Sequence, residues 1–313
     1  MEAIQLENSI VQRIKYAPRN GEHISFWIKR DDLIHKDISG NKWRKLKYNI
    51  EEAKHQKKEG ILTFGGAYSN HLLATAKACQ MNKLKCIGLI RGEELNPNSN
   101  STLSNCQSMG MEFLFINRSE YRKKNDYDYL ARIKSQFDNY YIVPEGGANF
   151  HGVIGCQEIL QSTANDFDHV FVSAGTGTTT AGVVLSVPER TTVHSIPVLK
   201  GSFMAKDISA LMYAVTYNQN FVNERMRQLT VHENYHFGGY GKWNEELIHF
   251  IQDFYKQTNV KLDPIYTGKA MFGLVDLMNK NKISSRQKIL FIHTGGLQGI
   301  SGVEEKLSYQ LFF

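Results

Sequence analysis

A short apolar run, a turn rich in glycine and hydroxyl residues, and then a helix-forming segment recur in this chain, and that order constrains its fold more than any other feature. Gly60-Ile61-Leu62-Thr63-Phe64 leads into Gly65-Gly66-Ala67-Tyr68-Ser69-Asn70, followed by an alanine-rich segment predicted helical over 71–81. His169-Val170-Phe171-Val172-Ser173 leads into Ala174-Gly175-Thr176-Gly177-Thr178-Thr179-Thr180-Ala181-Gly182, followed by an apolar helix over 183–187. Further strands are predicted at 84–90, 112–116 and 288–293, the last closed by Thr294-Gly295-Gly296. Strands that are apolar almost without a break are covered on both faces, the condition of parallel sheets in an α/β fold. Ligands collect at the carboxyl ends of such strands, where these polar loops fall.

Two further helices follow from periodicity. Trp43, Leu46, Ile50 and Ala53 share one helical face, so Lys42 opens a helix that Gly60 is expected to end. The segment 119–137 is predicted helical, with Tyr129, Ile133 and Phe137 on one side.

The 313 residues suggest about two domains. A formal charge of +6, spread without a basic block, asks for no nucleic acid. No stretch approaches the ~20 apolar residues that span a bilayer, and residues 1–16 lack the apolar core of a signal peptide, so a cytoplasmic protein without membrane contact is expected. Cys79, Cys86, Cys106 and Cys156 form no C-x-x-C pair and read as structural thiols. His232-Glu233-Asn234-Tyr235-His236 spells a zinc-protease pattern, which works only on a helix. Phe237-Gly238-Gly239-Tyr240-Gly241 follows at once and breaks one, so no metal is expected.

The loop 175–182 places glycines and hydroxyls where a helix begins and its free N–H groups point outward, which makes an anion cradle. Val183 stands where a nucleotide-binding P-loop needs lysine, and Thr180 where a dinucleotide fingerprint needs its third glycine. A single small phosphate fits the loop better. Lys42 could be one more solvated base among Arg44, Lys45 and Lys47; at a helix N-terminus, however, its ammonium form is disfavoured, which suits a nucleophilic or imine-forming amine.

Ser39-Gly40-Asn41-Lys42 with Arg44-Lys45-Leu46, Gly65-Gly66-Ala67-Tyr68-Ser69-Asn70-His71, Gly175-Thr176-Gly177-Thr178-Thr179, Asp263-Pro264-Ile265-Tyr266-Thr267-Gly268-Lys269 and His293-Thr294-Gly295-Gly296 occur in that order. Together they resemble the pyridoxal-phosphate enzymes of the 1-aminocyclopropane-1-carboxylate deaminase and D-cysteine desulfhydrase family, over about Lys29 to Gly299. The resemblance implies the tryptophan-synthase-β-like fold, with open, twisted, parallel-rich sheets and helices on both faces. It implies a large domain from residues 1–46 and 153–313, with a smaller one, 47–152, inserted. It also implies a homodimer acting on a small amino acid.

Carried across by motif, Lys42 resembles the lysine that holds the aldehyde carbon of pyridoxal 5'-phosphate, while Lys45 and residues Gly175, Thr176, Gly177, Thr178 and Thr179 would hold its phosphate. Asn70 resembles the partner of the ring hydroxyl oxygen. Ser69 resembles the residue that meets the substrate carboxylate or shuttles a proton, with His71 sharing that carboxylate. Tyr266 and Tyr240 resemble active-site tyrosines. The cyclopropane deaminases carry Glu where this chain has Thr267 and an apolar residue where it has Thr294; the desulfhydrases resemble it at both places. A threonine hydroxyl can donate to the pyridine nitrogen without supplying a negative charge, which leaves a weaker electron sink. That suits β-elimination, with D-cysteine the implied substrate, Lys42 taking the Cα proton, and pyruvate, ammonia and sulfide as products. Ring opening of aminocyclopropane carboxylate and a non-catalytic cofactor-binding role are the alternatives.

Overall fold

Ten strands sort into two sheets in the computed structural model, which describes residues 3–18, 21–38, 40–161, 163 and 166–312. They are β1 (Val11–Tyr16), β2 (Ile24–Lys29), β3 (Gly60–Gly66), β4 (Lys85–Arg91), β5 (Met111–Ile116), β6 (Tyr140–Val143), β7 (His169–Ala174), β8 (Thr192–Pro197), β9 (Leu229–Val231) and β10 (Ile289–Ile292). The larger sheet has the order β1-β2-β10-β7-β8-β9 and is parallel except for the β1–β2 pair; the smaller, β5-β4-β3-β6, is wholly parallel.

The apolar strands are covered on both faces, as expected. In β10, Ile289 and Phe291 enter one core with Leu247, Ile251 and Leu274 from the helices Glu245–Thr258 and Thr267–Asn279. Their neighbours Leu290 and Ile292 enter the opposite core with Val183, Ile208 and Cys156. Alternation along the strand sends successive side chains to opposite faces, so a sheet with a helical layer on each side needs an apolar residue at every position. In β3 the same rule sends Ile61 to one core, and Leu62 and Phe64 to the other. All four cysteines are buried and unpaired. No helix among the described residues is long and apolar enough to cross a membrane.

Five strands, β1, β2, β6, β8 and β9, lie outside the sequence expectations, and three expected segments differ from the structure. The segment 119–137 is two helices, Arg118–Tyr121 and Tyr127–Gln136: Asn117 caps the first by accepting from Glu120 N, and Asp126 restarts the chain by accepting from Tyr129 N. The helix expected over 183–187 begins at Thr178, because the threonines are its first turn rather than part of the loop. The Lys42 helix ends at His55, before a left-handed Lys57 (φ 53°), while Gly60 is already a strand residue pairing with Lys85 and Tyr140.

Candidate active site

Both sheets direct carboxyl ends of their strands at one cavity of about 330 Å³. Gly66 ends β3, Arg91 ends β4 and Ala174 ends β7, and all three line it; Glu145 and Gly146 follow β6 and do the same. Of the residues singled out in the sequence, Lys42, Lys45, Ser69, Asn70, His71, Gly175, Thr176, Gly177, Thr179, Tyr240 and Tyr266 share this lining. Thr178 and Thr294 stand behind it. Thr178 Oγ1 lies 2.9 Å from Thr176 Oγ1, and Thr294 Oγ1 3.0 Å from the hydroxyl of Ser173, which itself faces the cavity. Ser39 lies outside the described residues.

Lys42 is the second residue of the helix Asn41–His55. Gly40 caps that helix at φ 63°, ψ −141°, and a Cβ there would lie 1.9 Å from the Thr294 carbonyl oxygen, so only glycine lets the helix start so close to the end of β10. Asn41 ties the amine to the helix that follows β7: its Oδ1 accepts from Lys42 Nζ at 2.9 Å and its Nδ2 donates to Thr179 Oγ1 at 2.8 Å. Burial, reinforced by the nearby Lys45 ammonium, lowers the Lys42 amine from 10.5 to about 7. Sequence reasoning assigned this depression to the helix N-terminus; in the folded chain, burial is the larger cause. The amine lies 5.9 Å from the Tyr266 ring centroid.

Across the cavity, the helix Thr178–Ser186 starts from a left-handed Gly177 with no side-chain cap, and the earliest backbone donor within it is Ala181 N to Gly177 O. The N–H groups of Thr178, Thr179 and Thr180 therefore have no partner within the helix. Lys45 is buried, makes no ion pair or side-chain hydrogen bond among the described residues, and is lowered by burial. A buried cation without a partner beside an open helix N-terminus is a seat for an anion.

The remaining residues sort by the hydrogen atoms they have to give. Ser69 caps the helix Asn70–Asn82 as an acceptor from Leu72 N, which leaves its own hydrogen available. His71 Nε2 lies 2.8 Å from Thr63 Oγ1, whose hydrogen goes to Val143 O at 2.7 Å, so the ring donates to Thr63 and Nδ1 is a bare acceptor. That Nδ1 is buried without a partner. Burial, and then Lys42 and Lys45, hold His71 well below its ordinary range. A neutral ring in this tautomer offers a carboxylate no N–H. The Thr267 hydroxyl, expected to face a pyridine nitrogen, is spent locally: it donates to Asp263 Oδ1 at 2.6 Å and accepts from Asp263 N at 2.9 Å. Tyr240 and Tyr266 meet edge-on with ring centroids 6.1 Å apart. Burial raises both phenols; Tyr240 is 41% exposed as a residue, but its hydroxyl end is desolvated.

His232 and His236 share no helix face. Their segment is a short turn, His232 Nε2 lies 2.8 Å from His194 Nδ1, and His236 Nδ1 accepts from Gly238 N. Sequence reading missed Asn41, Ser173, Arg91, Arg122 and Glu145 as lining residues. The signal for three of them was present: Arg91, Ser173 and Glu145 stand at or just beyond strand carboxyl ends, and Glu145 opens another Gly-Gly turn.

The model of the "Pyridoxal-phosphate dependent enzyme" family matches residues 10–295, most of the chain. The chain belongs to that family. Among its relatives are the bifunctional D-cysteine desulfhydrase/1-aminocyclopropane-1-carboxylate deaminase of Arabidopsis thaliana, 31% identical over 88% of this chain and 73% of that one, and the D-cysteine desulfhydrase of Klebsiella pneumoniae, 29% identical over 90% of each. A crystal structure described as an ACC deaminase homologue superposes with a TM-score of 0.76 at 30% identity, covering 91% of this chain and 88% of the other. As a member of the pyridoxal-phosphate family the protein is an enzyme with that cofactor. Its cavity fits the group: one buried amine near neutrality, a second buried amine without a partner, an open helix N-terminus for a phosphate, and the orphaned His71 Nδ1.

Proposed function

We propose that the protein catalyses β-elimination from a small amino acid, D-cysteine or a close relative, releasing pyruvate, ammonia and the β-substituent. The observation that carries this reading is the Lys42 amine, buried, drawn down to about 7 and held by Asn41 beside the Thr179 end of the open helix N-terminus. In this reading Lys42 holds the aldehyde carbon of the cofactor, while Lys45 and the N–H groups from Thr178 to Thr180 hold its phosphate. Bound pyridoxal phosphate supplies the sink for electrons released at Cα. Lys42 Nζ then takes the Cα proton, Ser69 donates to the substrate carboxylate, and Tyr266, its phenol raised by burial, keeps its proton for the departing group.

Hydroxyls, not carboxylates, favour elimination over ring opening. Ser173, Thr179 and Thr180 form the deep lining, and the one carboxylate among the lining residues, Glu145, is taken by Tyr121 and Lys124. Of the two threonines that set this chain apart from the cyclopropane deaminases, Thr294 backs that wall through Ser173, while Thr267 is committed to Asp263. A lining whose one carboxylate is already paired leaves the sink weak, which suits a good leaving group on Cβ and not an unactivated ring.

The proposal includes a division into residues 1–46 with 153–313 and 47–152, supported by the two sheets drawing their strands from those two sets. A cytoplasmic homodimer completes it, supported by four unpaired thiols and by the family resemblance. The test is carbonyl-product detection with D-cysteine, β-chloro-D-alanine, D-serine and aminocyclopropane carboxylate, alongside borohydride reduction of the wild type and Lys42→Ala. Pyruvate from D-cysteine is expected, and a visible band that borohydride abolishes in the wild type, leaving the cofactor covalently attached, but not in Lys42→Ala. Faster formation of 2-oxobutanoate from aminocyclopropane carboxylate overturns the elimination reading.

A further inference from the structure

The cations at the mouth of the cavity are not equivalent. Lys124 Nζ lies 3.4 Å from Glu145 Oε2, and Tyr121 donates to Glu145 Oε1 at 2.7 Å, so that carboxylate is matched. In the adjoining groove Arg118 pairs with Glu94. Arg91 and Arg122 line both the cavity and the groove, and neither makes an ion pair or a side-chain hydrogen bond among the described residues. Arg91 is kept in place by packing: its guanidinium lies 5.8 Å from the Tyr121 ring centroid, and a Cβ on Gly66 would come within 3.4 Å of its Nη2. The fork thus reaches across the end of β3 beside the loop that carries Ser69.

We propose that Arg91 and Arg122 form an anion seat, and that among the amino acids this site eliminates from, those carrying a second negatively charged group on the side chain, a carboxylate, a sulfonate or a phosphate, are preferred over neutral ones such as cysteine. The inference rests on the elimination reading above and narrows its substrate class. Planar guanidinium forks match such oxyanions bidentately, and two forks with no carboxylate of their own have their donors free for one. The seat lies at the mouth, so a charged β-substituent held there departs toward solvent. For O-phosphoserine the balance closes: the Cα–H bond breaks to Lys42, the Cβ–O bond breaks with its electron pair leaving on phosphate, and one water is consumed to give pyruvate, ammonia and phosphate. S-sulfocysteine releases thiosulfate in the same way.

The test uses the holoenzyme, with a binding readout and a turnover readout. Calorimetric titration compares 3-sulfopropanoate, which carries both anionic groups and no amine to react, with propanoate. Turnover compares both enantiomers of O-phosphoserine and S-sulfocysteine with β-chloroalanine, which separates the phosphate and sulfonate sources. The dianion is expected to bind about tenfold tighter or better than the monoanion, a preference that Arg91→Gln with Arg122→Gln removes and Arg118→Gln, already paired with Glu94, does not. The anionic-to-neutral ratio of kcat/KM should fall by about the same factor in the double variant. Equal binding of the two probes, or a preference that survives the double variant, overturns the seat. Turnover of β-chloroalanine without any preference removes the seat and leaves the elimination reading standing; a preference without turnover of any amino acid does the reverse.

Discussion

Replacing Lys42 by methionine should make the cofactor-stripped protein more stable, although it removes the residue to which catalysis is assigned. The amine falls from 10.5 in the unfolded chain to about 7 in the fold, chiefly through burial. Below about pH 7 both states carry the proton, and the folded state bears the whole cost of the buried ammonium, on the order of 5 kcal/mol at 1.36 kcal/mol per pH unit. Between about 7 and 10.5 the unfolded chain binds the proton and the folded chain does not, so stability rises with pH and the penalty shrinks, to roughly 2 kcal/mol at pH 9. Above 10.5 it is gone. Methionine keeps an apolar stem in the same space without the charge. For a chain of this length 5 kcal/mol corresponds to roughly 7 °C in Tm. Thermal unfolding of the stripped wild type and Lys42→Met at pH 6 and pH 9 tests this. The variant should melt higher at both, with the larger gap at pH 6. A variant no more stable at pH 6, or a gap that widens toward pH 9, refutes the assignment of the depressed amine to burial.

Three other substitutions probe the frame of the site. Thr267→Val strips Asp263 of a hydroxyl donor and its N–H of an acceptor, in a fully buried setting, and should cost about 2 kcal/mol in urea unfolding; an unchanged midpoint contradicts the bonding described. Lys269 Nζ donates to the carbonyls of His236 and Gly239 at 2.9 Å each, clamping the loop that carries Tyr240, so Lys269→Met should speed proteolytic cleavage within 236–242 several-fold. Equal cleavage rates would remove that role. Gly40→Ala sets a Cβ against the Thr294 carbonyl at a left-handed φ and should cost about 3 kcal/mol or more, read as lost soluble protein or a lower midpoint; a variant as stable as wild type argues against the close approach.

The local sequence by itself determined β3, β4, β5, β7 and β10, the glycine-rich turns that follow β3, β7 and β10, and the position of Lys42 in the first turn of a helix, because periodicity and turn chemistry act within a few residues. Capping signals of the same kind, Asn117 before Glu120 and Asp126 before Tyr129, were there to split the 119–137 segment and outweighed its apolar face. Tertiary structure alone decided which atoms have a proton or a charge left to use. The tautomer of His71 is set by Thr63, which answers to the Val143 carbonyl 80 residues further on. The Lys42 amine is drawn down mainly by walls that only the assembled sheets provide, and Arg91 and Arg122 line one cavity because β4 and the helix Arg118–Tyr121 end beside it. Desolvation and hydrogen-bond partnership depend on every neighbour in space, and a linear reading sees only neighbours in the chain.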